Sequence, residues 1–194
     1  MASARSLAAG LTLLASVFSA SSGIGQEQET NPDPVYVFNR ICYAQIHDLP
    51  AIQDMALKLV WRTMPDAELE EFRPAVAPTI LDGWDVQVGE RLFKLGIAQS
   101  PVSESMLKIF PDFVGGTSST CSIILDDQQL AAEFMPNMKR LVGKEPVSSD
   151  VAEGPLQTTT WAGGNADIKV FVFAKHPPTG KGGLLNVTLL QKKK

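Results

Sequence analysis

The sequence predicts an α+β fold, a two-layer sandwich in which a mostly antiparallel sheet of about six strands carries two main amphipathic helices. Three observations support this prediction. Apolar residues recur at helical spacing over 48–64 and again over 126–143. Apolar and polar residues alternate over 84–97, as in half-buried strands. Short turns separate the strand segments, as expected for antiparallel neighbours.

Composition limits the class of protein. The 194 residues are 44% hydrophobic and 20% charged, which is typical of a globular chain and excludes a collagen-like, coiled-coil or wholly disordered one. The net charge of -4 argues against a nucleic-acid partner, which requires a basic surface. No motif for a cofactor or a metal is present, so neither is expected.

The first 25 residues have the pattern of a secretory signal peptide. Arg5 precedes an apolar stretch, Leu7 to Phe18, and small residues follow it. An uncleaved anchor is the alternative, although the stretch is shorter than the roughly 20 residues that span a bilayer. We therefore expect export to the periplasm or the medium, with no transmembrane span in the mature chain.

The remaining chain is predicted to be one domain. Residues 26–34 form a flexible leader, residues 35–191 a single globular α+β domain, and residues 192–194 a basic tail. Lys192, Lys193 and Lys194 are interpreted as a solubilising tail.

The two cysteines, Cys42 and Cys121, are expected to form a disulfide bond, because an even number of cysteines in an oxidising compartment favours pairing. Two alternatives stay open: buried free thiols, or a metal site that includes His47 and His176. Neither CxxC nor HxxxH spacing occurs, and a catalytic thiol would need a base that is not near in sequence.

The first half of the domain begins with a predicted helix that Asp48 caps and that runs to about Met64. Its apolar face comprises Ile52, Met55, Ala56, Leu59 and Val60. The acidic run 66–71 predicts a further helical turn. A hairpin is predicted over 84–97, and 101–113 suits a short helix or a buried turn.

The second half begins with a loop over 115–119 and a strand that contains Cys121. A second helix is expected to start at Asp126 or Asp127 and to end before Gly143, with a kink or a break at Pro136. A meander of three strands follows, over 157–161, 168–174 and 184–190, with a long turn over 175–183.

A serine hydrolase is one functional hypothesis. Ser118 and Ser119 lie in the predicted glycine-rich loop, and His47 or His176 could approach them after folding. No G-x-S-x-G motif is present, and small loops of this kind are common. His47 next to Asp48 could also act as a base, although capping by Asp48 explains that pair more simply.

The turn over 175–183 is the most unusual segment. Lys175, His176 and Lys181 are candidate contacts for an acidic partner or an anionic surface, and a mobile hairpin tip is the alternative. Its Gly-Lys pair lacks the remaining residues and the following helix of a phosphate loop. The sequon at Asn186 falls in a predicted strand and is interpreted as accidental.

Taken together, these features favour an exported, non-catalytic binding or interaction module of the bacterial envelope. Its partner would be an envelope protein or a small ligand, held by the sheet face or by a cavity under the second helix. Two alternatives stay open: a hydrolase that pairs a histidine with a loop serine, and a structural component of an envelope assembly.

Overall fold

The computed structural model of the protein describes residues 33–193, with the backbone alone described over 126–129. The predicted signal peptide and most of the predicted leader lie outside the described residues. The helices are α1 (Pro34–Phe38), α2 (Leu49–Lys58), α3 (Asp66–Leu69), α4 (Glu104–Ile109) and α5 (Ala131–Val142). A π-helical turn (Asn39–Tyr43) follows α1, and 3₁₀ turns follow α3 (Glu70–Phe72) and α4 (Pro111–Phe113).

All the strands join one antiparallel sheet. They are β1 (Arg62–Thr63), β2 (Ile80–Val88), β3 (Arg91–Pro101), β4 (Thr117–Leu130), β5 (Ser148–Glu153), β6 (Leu156–Gly164), β7 (Ile168–His176) and β8 (Lys181–Gln191). Their order across the sheet is β1-β2-β3-β4-β8-β7-β6-β5. The predicted α+β fold is confirmed, with eight strands instead of about six.

The two additional strands lie at the edges of the sheet. β1 has two residues, which is too short for any alternation to be visible. β5 is exposed along nearly its whole length, so it shows no apolar period. The predicted hairpin and the meander of three strands are both present, as β2–β3 and as β6–β7–β8.

The main core lies between one face of the sheet and the layer formed by α1, the π-helical turn, α2 and α5. Phe38, Ile52 and Phe134 are fully buried on the helical side. The facing strand residues alternate along each strand, and the central ones are Leu95, Ile97, Cys121, Ile123, Leu185, Val187 and Trp161. Complete burial of each large apolar side chain contributes about 1.5–3 kcal/mol to folding.

Short helical segments cover parts of the other face. Phe72, at the end of the turn after α3, lies directly on the backbone of Gly96 in β3. Because a β-carbon at Gly96 would overlap the ring of Phe72, only glycine permits this close approach. Around α4, a second small cluster contains Val102, Phe113 and Leu190.

The first predicted helix begins where expected and ends early. The Asp48 carboxylate accepts a hydrogen bond from the Ala51 N–H at 3.2 Å, which confirms the cap. The predicted end at Met64 is wrong, because α2 ends at Lys58. Apolar residues therefore continue at helical spacing in the sequence beyond the end of the helix.

A Schellman motif ends α2. The Val60 N–H donates to the Leu57 carbonyl at 3.3 Å, and the Trp61 N–H donates to the Ala56 carbonyl at 3.0 Å. Val60 takes the left-handed position of this motif, with a φ of 54°. Glycine is the usual residue there, and the presence of a β-branched residue explains why the sequence contains no visible stop signal.

The predicted start of the second helix is also wrong. Asp126 and Asp127 belong to the long strand β4, and α5 begins only after Leu130. The carboxylate of Glu133 accepts a hydrogen bond from the Leu130 N–H at 3.4 Å. Leu130 has no side-chain acceptor, so the bond that an aspartate cap would form with an N–H of the first turn is not made, and the glutamate at the third position of the helix accepts from the N-cap N–H instead.

The remainder of α5 follows the prediction more closely. Gly143 takes a left-handed conformation with a φ of 66° just after the helix, which confirms the predicted C-terminal cap. Pro136 lies inside a helix that is continuous from Ala131 to Val142, so the expected break into two helices is not found. Phe134 and Met138 are fully buried, as the apolar stripe indicates.

Candidate binding sites

The Cys42–Cys121 disulfide bond is present, which confirms the prediction. The two Cα atoms are 5.2 Å apart, and both residues are fully buried. The bond ties the π-helical turn to the middle of β4. Because both sulfur atoms are joined, the alternatives of free thiols and of a thiolate metal site are wrong.

Ser118 and Ser119 lie in strand β4 and not in a loop, which corrects the prediction. Ser119 is buried on the helix-covered face, where its hydroxyl accepts a hydrogen bond from the Gln99 amide at 3.1 Å. Ser118 points to the opposite face, because successive strand residues alternate. Neither serine occupies the exposed turn that a nucleophile of the predicted kind would need.

His176 lies far from both serines. In the sheet register Ser118 pairs with Leu190 of β8, which pairs with Lys169 of β7. His176 is seven residues further along β7, which corresponds to roughly 23 Å along the strand. The structure therefore does not bring His176 and these serines together.

His47 is exposed immediately before α2. Its neighbour Asp48 uses one carboxylate oxygen to cap the helix, as described above. The His47–Asp48 pair therefore has the structural arrangement that the capping interpretation predicted.

His176 is the last residue of β7, and its side chain is only 7% exposed. The ring packs edge-on against Phe134 of α5, with the ring centroids 6.3 Å apart. Nδ1 lies 2.9 Å from the Pro177 carbonyl oxygen, to which it donates a hydrogen bond. Nε2 is 3.7 Å from an Asp150 carboxylate oxygen. His176 is therefore a buried residue at the end of β7, beneath α5.

Lys175 and Lys181 lie in the two strands that flank the turn over 177–180. The Lys175 ammonium lies 2.7 Å from a Glu153 carboxylate oxygen, and this hydrogen bond lowers the pKa of Glu153. Lys181 is exposed as the first residue of β8. Lys175 and His176 point to opposite faces of the sheet because they are adjacent in a strand.

The predicted basic tail is docked at its first residue. The Lys192 ammonium lies 3.7 Å from an Asp112 carboxylate oxygen and 5.5 Å from the centre of the Phe113 ring. Asp33 and Pro34, which the sequence assigns to the leader, are the N-cap and the first residue of α1. Asp33, Pro34 and Lys192 therefore take part in the contacts of the described domain.

A cleft that the sequence does not predict lies between the turn after α2 and the β2–β3 hairpin. Its volume is about 470 Å³. Leu59, Val60 and Leu92 form an apolar rim, with exposed fractions of 59%, 86% and 50%. Leu59 and Val60 were expected on the buried face of the helix, and the early end of α2 turns them outwards instead.

A buried carboxylate forms the floor of this cleft, which we call the Asp85 cleft. The Asp85 side chain is 3% exposed, and one of its oxygens pairs with the guanidinium of Arg62, its neighbour across the β1–β2 register. The other oxygen, Oδ1, is buried and has no hydrogen-bond partner among the described residues. An unpaired buried acceptor costs about 1–3 kcal/mol.

Lys94 on the next strand pairs with another carboxylate, that of Glu68. Lys94 faces Asp85 across the β2–β3 register, but its ammonium lies 3.1 Å from a Glu68 carboxylate oxygen. The hydrogen bond to Glu68 raises the pKa of Lys94. Arg62 is therefore the cation that balances the charge of Asp85.

Backbone strain lies at the rim of the same cleft. A β-branched residue with a positive φ, here Val60, costs about 1–3 kcal/mol and persists only where the surrounding structure imposes it. Strained residues, exposed apolar groups and unpaired buried polar atoms are each typical of functional sites. In this cleft the three occur together, which makes it the candidate site for binding a partner.

The sequence contains no compact motif for this cleft. Arg62 and Asp85 are 23 residues apart, and only strand pairing brings them together. Asp85 lies on the polar side of a predicted strand, where the alternation predicts an exposed side chain. Its burial could therefore not be predicted from the sequence.

Comparisons with protein-family models, curated proteins and solved structures found no match to this chain. Across residues 33–193, no helix has both the length and the apolar character needed to cross a membrane. The same part of the chain has no group of three or more His, Cys, Asp or Glu residues placed to hold a metal ion. The chemistry of the sites is therefore the basis for any statement about function.

Proposed function

We propose that the protein is an exported, non-catalytic interaction module of the bacterial envelope that binds a partner protein at the Asp85 cleft. The observation that carries the proposal is an exposed apolar rim above a buried carboxylate oxygen without a partner. The predicted signal peptide and the disulfide bond support export, because disulfide bonds persist in oxidising compartments.

The rim selects an apolar group of the partner. Leu59, Val60 and Leu92 are at least half exposed, and a partner that covers them removes apolar surface from water. Such exposed clusters on a soluble domain are typical of protein–protein contacts. The turn at Val60 is strained because valine occupies a left-handed position, and it directs the Val60 side chain outwards. Glycine would end the helix without this strain, so the helix end itself does not require a valine.

The floor selects a hydrogen-bond donor. Because Arg62 already balances the charge of Asp85, a neutral N–H group fits Oδ1 better than a second cation. The Arg62 side chain is 72% exposed, so it can adjust at the surface and admit the partner's donor to Oδ1 while its guanidinium stays paired with the other carboxylate oxygen. A chain segment with an apolar side chain and a free amide N–H has both features.

A pull-down tests the proposal. The mature, disulfide-bonded chain is immobilised and incubated with an envelope extract of the organism that produces it. Leu92→Ser is the test variant, and Ile109→Ser is its matched control, because Ile109 is 66% exposed on α4, away from the cleft. We expect a defined partner with the unmodified chain and the control, and its loss with Leu92→Ser. Equal recovery by all three, or recovery of no specific protein, contradicts the proposal.

A further inference from the structure

A second cavity lies under the C-terminal end of α5, at the other half of the sheet. Its volume is about 150 Å³, and we call it the Trp161 cavity. Val142 of the helical side and Val170 and Val172 of β7 form apolar walls, and Tyr43 lies beside them. An apolar cavity of about this volume accommodates a benzene ring. The size therefore suits a ligand with a compact ring or a short branched chain.

The absence of a side chain at Gly163 creates this space. Gly163 lies in the interior of β6, two residues from Trp161, so both face the helical layer. It pairs with Val170, another residue of the cavity wall. A β-carbon at Gly163 would have only an ordinary contact, 3.6 Å from the Lys144 ammonium. Glycine costs about 0.5–1 kcal/mol within a strand, so the open space is not required by close packing.

The indole N–H of Trp161, a residue that lines this cavity, has no acceptor among the described residues. Trp161 is 1% exposed, and its Nε1 is buried without a hydrogen-bond partner among the described residues. The indole N–H can only donate, and buried tryptophans normally find an acceptor. A ligand that brings an acceptor atom would satisfy a group that the chain itself leaves unpaired.

A cation stands at the mouth of the cavity. Lys144 lines it and is exposed, and no carboxylate among the described side chains lies within ion-pair distance of its ammonium. Its charge offsets the partial negative charge of the last carbonyl groups of α5. The charged residue and the orphaned polar atom of this cavity are therefore both donors.

We infer that the Trp161 cavity binds a small carboxylate with a compact apolar body, such as an aromatic acid. The carboxylate accepts from the Lys144 ammonium and the Trp161 indole, and the apolar body lies among Val142, Val170 and Val172. This site is separate from the Asp85 cleft and does not depend on the partner proposed there. The cavity selects a ligand with a hydrogen-bond acceptor, whereas the cleft selects a partner with a hydrogen-bond donor.

Three probes that share a phenyl ring and differ in the polar group test the chemistry. Benzoate, benzamide and benzylamine are titrated calorimetrically into the mature, disulfide-bonded protein. We expect benzoate to bind at least tenfold more tightly than benzamide, and benzylamine not to bind. The indole N–H resonance of one tryptophan of the three should shift on addition of benzoate. Benzoate binding no tighter than that of benzylamine, or no shift of an indole resonance, overturns the inference.

Two variants locate the binding. Lys144→Gln should weaken benzoate binding about tenfold, whereas Lys108→Gln, at the end of α4, should leave it unchanged. Gly163→Val should abolish binding while keeping the thermal midpoint, because valine fits a strand and its side chain occupies the cavity. A folded Gly163→Val protein that binds benzoate like the unmodified chain would falsify the assignment. Equal affinity of Lys144→Gln and the unmodified protein also overturns it.

Discussion

The Asp85 cleft and the Trp161 cavity lie on opposite halves of one sheet and have opposite chemistry. The cleft belongs to β1, β2 and β3, the cavity to β6 and β7, and β4 and β8 separate them. The cleft has an unpaired acceptor under an exposed apolar rim, and the cavity has an unpaired donor inside apolar walls. The two proposed sites therefore have no lining residue in common.

The two sites also differ in what holds their walls. The cavity wall includes Tyr43, next to the disulfide residue Cys42. The cleft depends instead on the turn at Val60 and on the pairing of β1 with β2. Changes at the two sites should be additive, since well-separated residues with no common partners act independently.

Loss of the disulfide bond should have the largest effect. The bond closes a segment with a sequence separation of 79, for which the chain-entropy model gives about 4.5 kcal/mol. We expect Cys42→Ala/Cys121→Ala to lower the free energy of unfolding in urea by about 4 kcal/mol. The folded fraction should lose benzoate binding more than partner binding, because the bond adjoins only the cavity. A loss below about 1 kcal/mol contradicts this account.

Removal of Arg62 should be the next largest effect. Arg62→Ala leaves the buried carboxylate of Asp85 without its cation, and we expect a loss of about 1–2 kcal/mol, less than for a fully buried pair because the Arg62 side chain is 72% exposed. Asp85→Leu should cost much less, because it removes the charge and the unpaired oxygen together. Urea unfolding of both variants measures the difference. Equal losses of stability would show that the carboxylate is not held by Arg62 alone.

Relief of the strain at Val60 should stabilise the domain. Val60→Gly places the usual residue in the left-handed position, and we expect a gain of about 1 kcal/mol. Partner recovery should fall in the same variant because one side chain of the apolar rim is lost. Gain of stability with loss of binding would support the view that the strain serves the cleft, and a less stable variant would argue against it.

The smallest effect concerns the ion pair of Glu153 with Lys175, which belongs to neither site. Because the pKa of Glu153 is lowered in the folded protein, its contribution is present above the ordinary pKa of 4.5 and is lost as the pH falls. Exposed pairs contribute about 0.5 kcal/mol, so Glu153→Gln should lower stability by about that amount at pH 7 and by nothing at pH 2. Urea unfolding at both pH values measures this, and a pH-independent loss would contradict it.

Much of the fold was predictable because its helices and strands follow the local spacing of apolar residues. Alternation around Trp84 and helical spacing around Phe134 report which side of an element is buried. The element boundaries were less predictable. The apolar period continues through Leu59 and Val60 although α2 has ended, and Asp126 and Asp127 have the composition of a cap although they extend a strand.

The candidate sites were not predictable in the same way. Ser118 and His176 were paired on residue type alone, and the sheet register separates them by roughly 23 Å along the strand direction. Arg62 and Asp85 form the floor of a cleft only because β1, two residues long, joins the edge of β2. A cavity at Gly163 depends on which strand residue faces the helical layer and on how far α5 extends over it.

The sequence by itself determined the α+β class, the hairpin and the meander, the cap at Asp48 and the pairing of the two cysteines. These features depend on the spacing of apolar residues, on turn residues and on the number of cysteines, all of which are local or compositional properties. Only the tertiary structure decided where buried polar atoms stay unpaired. Whether Asp85 Oδ1 or the Trp161 indole finds a partner depends on groups brought together from distant parts of the chain, and no local pattern contains that information.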